Sequence, residues 1–340
     1  MSDDIEISKK KLADEIERIT TVFCDVLKIE SVSTNDNFFR LGGDSFDAIR
    51  VVSRLGKNLQ IVSLFENPTA GDLAKHILSE TTKRSARLIP LYDENSSNGS
   101  VVVIGVPFGG GDPTAYKNLF RENRDVRVFG VDFGDLEIGD SSDFSTLVST
   151  LISEIEKIDA KQFIVYGHCA GAAMAACLAS AIASTMASLS LVVAASNPMD
   201  DPDMAISESE ETSDHTWSQY LRSLGAFTGL IDAEIDEMLI RGRRDHLIAA
   251  EAYKALAQHP ARGIPALVLL GDADPATPQF SSIVEKWKNF IDVVDSKNLI
   301  GGGHYFVRTH SREVADTVIS FATRNRKRRD TELWSTMNYS

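Results

Sequence analysis

Gly167-His168-Cys169-Ala170-Gly171 is the arrangement in this sequence best suited to chemistry. It follows the apolar run FIVYG (163–167) directly and opens a segment of small residues that reads as a helix. A strand, a tight turn and a helix in that order form a nucleophile elbow of the G-x-S-x-G type, here with cysteine where serine usually stands. Glycines on both sides let neighbouring backbone approach closely. The start of a helix favours thiolate over thiol. A buried structural cysteine on a Gly-rich turn is the plainer alternative, and it is the better reading for Cys177 inside the helix and for Cys24 among apolar positions.

A nucleophilic thiol needs a base, and chain order says where to look: nucleophile, acid, then histidine. Asp272 and Asp274 lie in GDADPATP after the apolar run ALVLLG, and His304 lies in NLIGGGHYFV. The expected set is Cys169 as nucleophile, His304 as base and then acid, and Asp274 orienting the imidazole. Loop position favours Asp274 over Asp272, with Asp200 and Asp201 as further candidates in an acidic run. His168 is expected to be turned aside from the nucleophile and His310 to be structural. His76, His215, His246 and His259 fall in helical or exposed stretches. Backbone N–H groups of Ala170 and of Gly109, in VPFGGGDP, are the expected oxyanion hole. The triple glycine could cradle a phosphate, but it lacks the Lys-Ser/Thr of a Walker loop.

These residues need a sheet to hold them. VVVIGV (101–106), VRVFGVDF (126–133), FIVYG (163–167), LSLVVAAS (189–196) and ALVLLG (266–271) have the continuous apolar character of strands buried on both faces. Helix-length segments separate them, which predicts an α/β domain with a mainly parallel sheet over residues 100–325. Between 197 and 263 the alternation stops, and helices expected around 214–227, 231–241 and 243–259 read as a lid. The uncharged stretch Cys169–Met199 is long enough for a membrane span on paper. Its first half is Ala, Gly, Ser and Thr, so a buried helix followed by a buried strand fits better.

Residues 8–80 read as a helical domain broken by the polar loop SVSTNDN, with Leu12, Ile16, Ile19 and Phe23 at helical spacing. Gly42-Gly43-Asp44-Ser45 sets a hydroxyl at the start of the second helix, where physics alone makes Ser45 an N-cap. Polar residues 81–99, broken by the apolar island RLIPLY, read as a linker, and 326–340, led into by the basic run RNRKRR (324–329), as a solvated tail.

Composition narrows the field of partners. The 340 residues carry 35 Lys plus Arg against 49 Asp plus Glu, a net charge of -14, which argues against nucleic acid or an anionic membrane. Three cysteines form neither a disulfide framework nor a zinc pattern, so no metal is expected. The charged N-terminus has no apolar core segment, and a reducing, cytoplasmic setting is the expectation.

FFRLGGDSFDAI (38–49), with LFENPTAGDLA downstream, resembles the peptidyl carrier proteins of nonribosomal peptide synthetases. That resemblance implies a small four-helix domain with 4′-phosphopantetheine on Ser45, loaded by a phosphopantetheinyl transferase. RLIPLY, VPFGGGDPTAY, GHCAGAAMA, LLGDADPATP and GGGHYFV resemble the thioesterase domain that ends such synthetases. This implies an α/β-hydrolase fold with a helical lid, a peptidyl thioester as substrate, docking of the carrier, and upstream condensation and adenylation domains. The cysteine departs from the usual serine and resembles variants that release β-lactones and monocyclic β-lactams. An acyl-cysteine keeps the activation of a thioester, so closure of a small strained ring is expected, with β-lactam ahead of β-lactone. Hydrolytic release of a linear acid is the alternative; a non-catalytic acyl-carrier docking module is another of a different class.

Overall fold

The computed structural model describes residues 2–56, 59, 61–79, 85–91, 100–123, 125–135, 141–186, 188–226 and 232–337. Residues 81–84 and 92–99 of the expected linker, 227–231 of the expected lid and 338–340 of the tail lie outside them. The chain divides into two compact units, 1–83 with 229–237, and 84–228 with 238–340.

In the first unit, apolar residues three and four apart turn one face of each helix inward. The helices are α1 (Ser2–Leu27), α2 (Ser45–Leu55), α3 (Ile61–Glu66) and α4 (Ala70–Ser79). Ile19, Phe23, Val51, Val52, Leu64 and Leu73 are buried in its core. Phe38, from the loop before α2, packs its ring 4.8 Å from that of Phe23. The helix cap at α2 is Asp44 rather than Ser45. Asp44 Oδ1 accepts the Asp47 N–H at 3.0 Å, and Asp47 Oδ2 accepts the Asp44 N–H at 3.3 Å, a reciprocal capping box. Ser45 is thereby the first helical residue.

Among the described residues the second unit is built on seven strands: β1 (Arg87–Pro90), β2 (Val101–Val106), β3 (Val126–Asp132), β4 (Gln162–His168), β5 (Leu189–Ala194), β6 (Ala261–Gly271) and β7 (Ile291–Leu299). Their order is β1-β3-β2-β4-β5-β6-β7. Strand β1 runs antiparallel, on the outer edge of β3, and the other described pairings are parallel. The sheet therefore begins inside the stretch read as linker, because Leu88 and Ile89 find partners at Val131 and Gly130.

Helices α5 (Ser141–Ile155), α6 (Gly171–Ile182) and α10 (Phe280–Trp287) make the crossovers after β3, β4 and β6. The uncharged stretch resolves into buried α6 and buried β5. No helix among the described residues is long and apolar enough to cross a membrane. Strand β2 pairs with β3 on one side and β4 on the other, so the loops after β2 and β4 part at their carboxyl ends and leave a crevice.

Between β5 and β6 stand α7 (Pro202–Glu211), α8 (Asp214–Ser223) and α9 (Asp232–Gln258). Two details differ from the sequence reading. The acidic run is itself helical, started by Asp201 as cap and Pro202 at the first turn. Helix α9 is continuous, because Gly242 sits in its interior without ending it. After the short turn α11 (Phe306–Thr309), α12 runs from Ser311 to Met337, so most of the expected tail continues a helix.

Candidate active site

Cys169 holds a backbone φ of +52°, in the left-handed region that side chains other than glycine's rarely adopt. The elbow that imposes it is sterically closed. A Cβ on Gly167 would lie 2.3 Å from the Gly171 carbonyl oxygen, and one on Gly171 would lie 2.4 Å from that of Pro107. Both glycines are thus required by close packing of β4, α6 and the loop after β2. The Cys169 N–H donates to Ala194 at 2.8 Å, which ties the turn to the end of β5.

The loops after β6 and β7 bring acid and histidine together. His304 Nδ1 donates to Asp274 at 2.9 Å (Oδ2) and 3.1 Å (Oδ1), and both side chains are buried. Asp274 also accepts from the Ala276 N–H at 2.8 Å and the Thr277 hydroxyl at 2.9 Å. Burial pushes its carboxyl up, but these bonds and the imidazole outweigh burial and leave it below the usual range.

The other acidic candidates are engaged elsewhere. Asp272 accepts the Gly301 N–H at 2.6 Å, Asp200 pairs with Lys286 at 2.8 Å, and Asp201 caps α7. A Cβ on Gly271 would strike the Gly302 carbonyl oxygen at 2.1 Å, so that glycine is what lets the two loops join.

With Nδ1 held by Asp274, the other side of the His304 ring is left to interact with the Cys169 thiol. Burial opposes charge on both groups. The Cys169 thiolate and the Asp274 carboxylate nevertheless hold the imidazole pKa well above its usual range. In return, the imidazole and the Ala170 N–H bring the thiol below its own, against burial. The favoured state is therefore a thiolate–imidazolium pair, whose proton His304 can give up later.

The expected oxyanion donors stand beside it. Gly109 faces Ala170 closely enough that an added Cβ would lie 3.6 Å from the Ala170 Cβ. The adjacent Gly110 N–H is already used, donating to buried Asp245 of α9 at 3.0 Å. Asp245 pairs in turn with Arg244 at 2.9 Å, so α9 fixes the glycine loop.

Cys169, His304, Gly109 and Ala170 share one cavity of about 520 Å³ with Ser196, Trp217, Tyr220, His246 and Tyr253. His246, which its helical setting makes look unremarkable in sequence, thus lines the cavity wall. His168 lies beside it, fully buried, and its Nε2 donates to the His304 carbonyl at 2.8 Å. No periodicity or motif marks Asp245, Ser196 or Tyr253 in the sequence. Among the described residues no group of three His, Cys, Asp or Glu side chains could hold a metal.

Residues 98–317 match the Alpha/beta hydrolase family, more than half of the chain. The chain belongs to that family. Ahead of the hydrolase unit, residues 17–77 match the family described as Phosphopantetheine attachment site, and 4′-phosphopantetheine is the covalent cofactor of this domain. The turn before α2 suits such a group. Leu41, Gly42 and Asp44 are exposed around the helix start that Ser45 occupies.

Bacitracin synthase 2 of Bacillus licheniformis is 37% identical over 76 residues, which is 22% of this chain and 3% of that protein. Indigoidine synthase of Streptomyces lavendulae is 29% identical over 166 residues, or 46% of this chain and 13% of that protein. The chain thus spans a small part of the curated relatives it matches. Two solved folds resemble the hydrolase unit. The type II thioesterase BorB from the borrelidin biosynthetic cluster has a TM-score of 0.54 and 19% identity, over 72% of this chain and 100% of its own. RedJ, the thioesterase of the prodiginine pathway in Streptomyces coelicolor, has a TM-score of 0.51 and 22% identity, over 65% and 91%.

Proposed function

We propose that the hydrolase unit is a thioesterase that releases the acyl product of a nonribosomal peptide synthetase, with Cys169 as nucleophile and a small strained ring as product. The observation that carries this reading is the Asp274–His304 pair, its imidazole coupled to the Cys169 thiol on a strained elbow, in a chain that also holds a carrier domain. When bound at Ser45, the pantetheine arm would present the acyl group as a thioester. Upstream condensation and adenylation domains would supply that group, and a phosphopantetheinyl transferase would attach the arm.

In the first half-reaction the Cys169 thiolate attacks the thioester carbonyl. The oxygen becomes an oxyanion facing the N–H groups of Gly109 and Ala170. His304, as imidazolium, would give its proton to the departing thiolate, and Cys169 would then hold the acyl group as a new thioester. Neutral His304 then accepts a proton from an amine, amide or hydroxyl within the acyl chain as that atom attacks the carbonyl, and Cys169 leaves as thiolate. Thioester exchanged for thioester is nearly isoenergetic, so the intermediate keeps the activation that a strained ring demands. An oxoester on serine would not. The same argument covers β-lactam and β-lactone, with β-lactam preferred. Helices α7–α9 would act as the lid that keeps water out.

The test loads the carrier with a candidate peptidyl group and follows protein and product together by mass spectrometry, in parent and C169A. A released product one water lighter than the free acid, absent in C169A, is the expected result. Product at the free-acid mass would replace cyclisation by hydrolysis. No Cys169-dependent release across several acyl groups would leave a docking module.

A further inference from the structure

The lining of the candidate active-site cavity includes a pair of buried hydroxyls that the acyl-transfer steps do not use. Ser196 Oγ and the Tyr253 hydroxyl lie 3.2 Å apart, and both residues line the cavity with Cys169 and His304. Ser196 is 7% exposed and Tyr253 3%. Burial raises the Tyr253 phenol above its ordinary range, so it stays protonated.

The pair is held in place from several directions. Ala195, at the end of β5, adopts a left-handed φ of +47°, and this residue redirects the chain as it leaves the sheet toward Ser196. Such strain persists only where the surroundings enforce it. Trp287 Nε1 donates to the Ser196 carbonyl at 2.9 Å, and the rings of Trp287 and Phe290 pack 5.9 and 5.7 Å from that of Tyr253. Ser196 also lies two residues beyond Ala194, whose carbonyl accepts the Cys169 N–H.

Proton counting makes this a binding element. Two hydroxyls bring two donors, and the bond between them uses one. Neither hydroxyl has another partner among the described residues, so one O–H remains for whatever fills the cavity, whichever of the two donates. A buried donor left unmade is costly, which selects for a ligand carrying an acceptor there.

We propose that Ser196 and Tyr253 form a hydrogen-bond subsite for an acceptor on the acyl chain next to the reacting carbonyl, the amide oxygen of an N-acylated amino-acyl group. This rests on the acyl-transfer reading of Cys169. Within the peptidyl class already implied, it makes these two hydroxyls the residues that set the preference for an α-acylamino group over a plain alkanoyl chain.

The experiment compares two N-acetylcysteamine thioesters of similar shape, N-acetylalanyl and 2-methylpentanoyl, with the 340-residue chain and the variants S196A, Y253F and S196A/Y253F. The parent should favour the N-acetylalanyl thioester in kcat/KM. The double variant should lose about tenfold of that preference, as expected for a lost hydrogen bond to a buried polar group. Each single variant keeps one hydroxyl and should lose less. Serine to alanine leaves the carbonyl that Trp287 binds, and the alkylation rate of Cys169 reports whether the elbow is intact. A double variant that slows both thioesters equally, or leaves the ratio unchanged, overturns the subsite alone. A parent that consumes neither thioester through Cys169 overturns the acyl-transfer reading, and the subsite with it.

Discussion

His168 Nε2 donates a hydrogen bond of 2.8 Å to the backbone carbonyl of His304, across 136 residues of sequence. The residue next to the proposed nucleophile thereby holds the loop of the proposed base. Burial drives the His168 pKa down to about 3, so the ring is neutral, with its proton on Nε2 and Nδ1 facing the Tyr166 hydroxyl at 3.5 Å. His168 is a positioning residue. Replacing it with leucine would leave a buried carbonyl without its donor, at a cost of about 1–3 kcal/mol. The expected outcome for His168→Leu is a kcat lowered about tenfold or more with KM little changed, and a displaced acidic limb in the pH profile. His168→Gln, which can offer an N–H at similar reach, should recover part of the loss. Equal changes in kcat and KM with an unmoved pH profile would count against this role.

The φ of +52° at Cys169 stores strain at the proposed nucleophile. Left-handed backbone costs a non-glycine residue about 1–3 kcal/mol, while glycine's greater unfolded freedom gives back roughly 1 kcal/mol. Cys169→Gly should therefore melt at or above the parent temperature while losing Cys169-dependent turnover. Gly167→Ala should do the reverse and destabilise, because its Cβ would lie 2.3 Å from the Gly171 carbonyl oxygen. Gly109→Ala has room, at 3.6 Å from the Ala170 Cβ, so it should fold normally and lose activity by crowding the acyl oxygen. Thermal melts beside steady-state rates on the three proteins separate these outcomes.

The charged pair predicts a pH signature of definite sign. The Cys169 thiol pKa is lowered, so thiolate is present above that pKa and disappears as pH falls through it. The His304 pKa is raised, so imidazolium is present below it and disappears as pH rises through it. Between the two, alkylation of Cys169 by iodoacetamide should stay nearly flat, with its lower limit displaced toward acid from that of an ordinary thiol. In His304→Ala burial and the Asp274 carboxylate still raise the thiol pKa while only the Ala170 N–H lowers it, and the half-point should move up. Peptide mass spectrometry keeps the reading specific to Cys169, since burial pushes the Cys177 thiol up to about 12.

Legibility in the sequence followed the locality of the cause. Apolar runs such as LSLVVAAS mark strands because β5 is buried along its whole length. Cys169 is visible because a turn between β4 and α6 demands glycines at fixed offsets, and chain order alone points to the spatial meeting of His304 with Asp274. Ser45 and its turn carry a short local motif. What escaped is what depends on the third dimension. The apolar island at Leu88–Ile89 becomes β1 only because β3 has a free edge, and Gly242 does not end α9 because packing outweighs its low helix propensity. His168, Asp245, Ser196 and Tyr253 meet the site through contacts with partners 25 or more residues away in the chain, which no spacing rule reports.

Arg243 decides how firmly the helices over the cavity hold together. From α9 its guanidinium donates to the carbonyls of Ser209 and Thr212, pairs with Asp214 at 2.7 Å and sits 4.7 Å over the Trp217 ring. One side chain thus closes the joint between α7 and α8 and braces an aromatic wall of the cavity. The ion pair is partly solvated and contributes little by itself; the two carbonyls and the cation–π contact matter more, at about 1 kcal/mol each. Arg243→Ala should leave the sheet and its melting largely intact while loosening the α7–α8 pair. Limited proteolysis should then cut within 200–225 faster than in the parent. If these helices exclude water from acyl-Cys169, the same variant should shift product from the dehydrated ring toward the free acid by severalfold at similar total turnover. Faster cutting without a product shift would leave the joint as a structural clasp and remove water exclusion from its role.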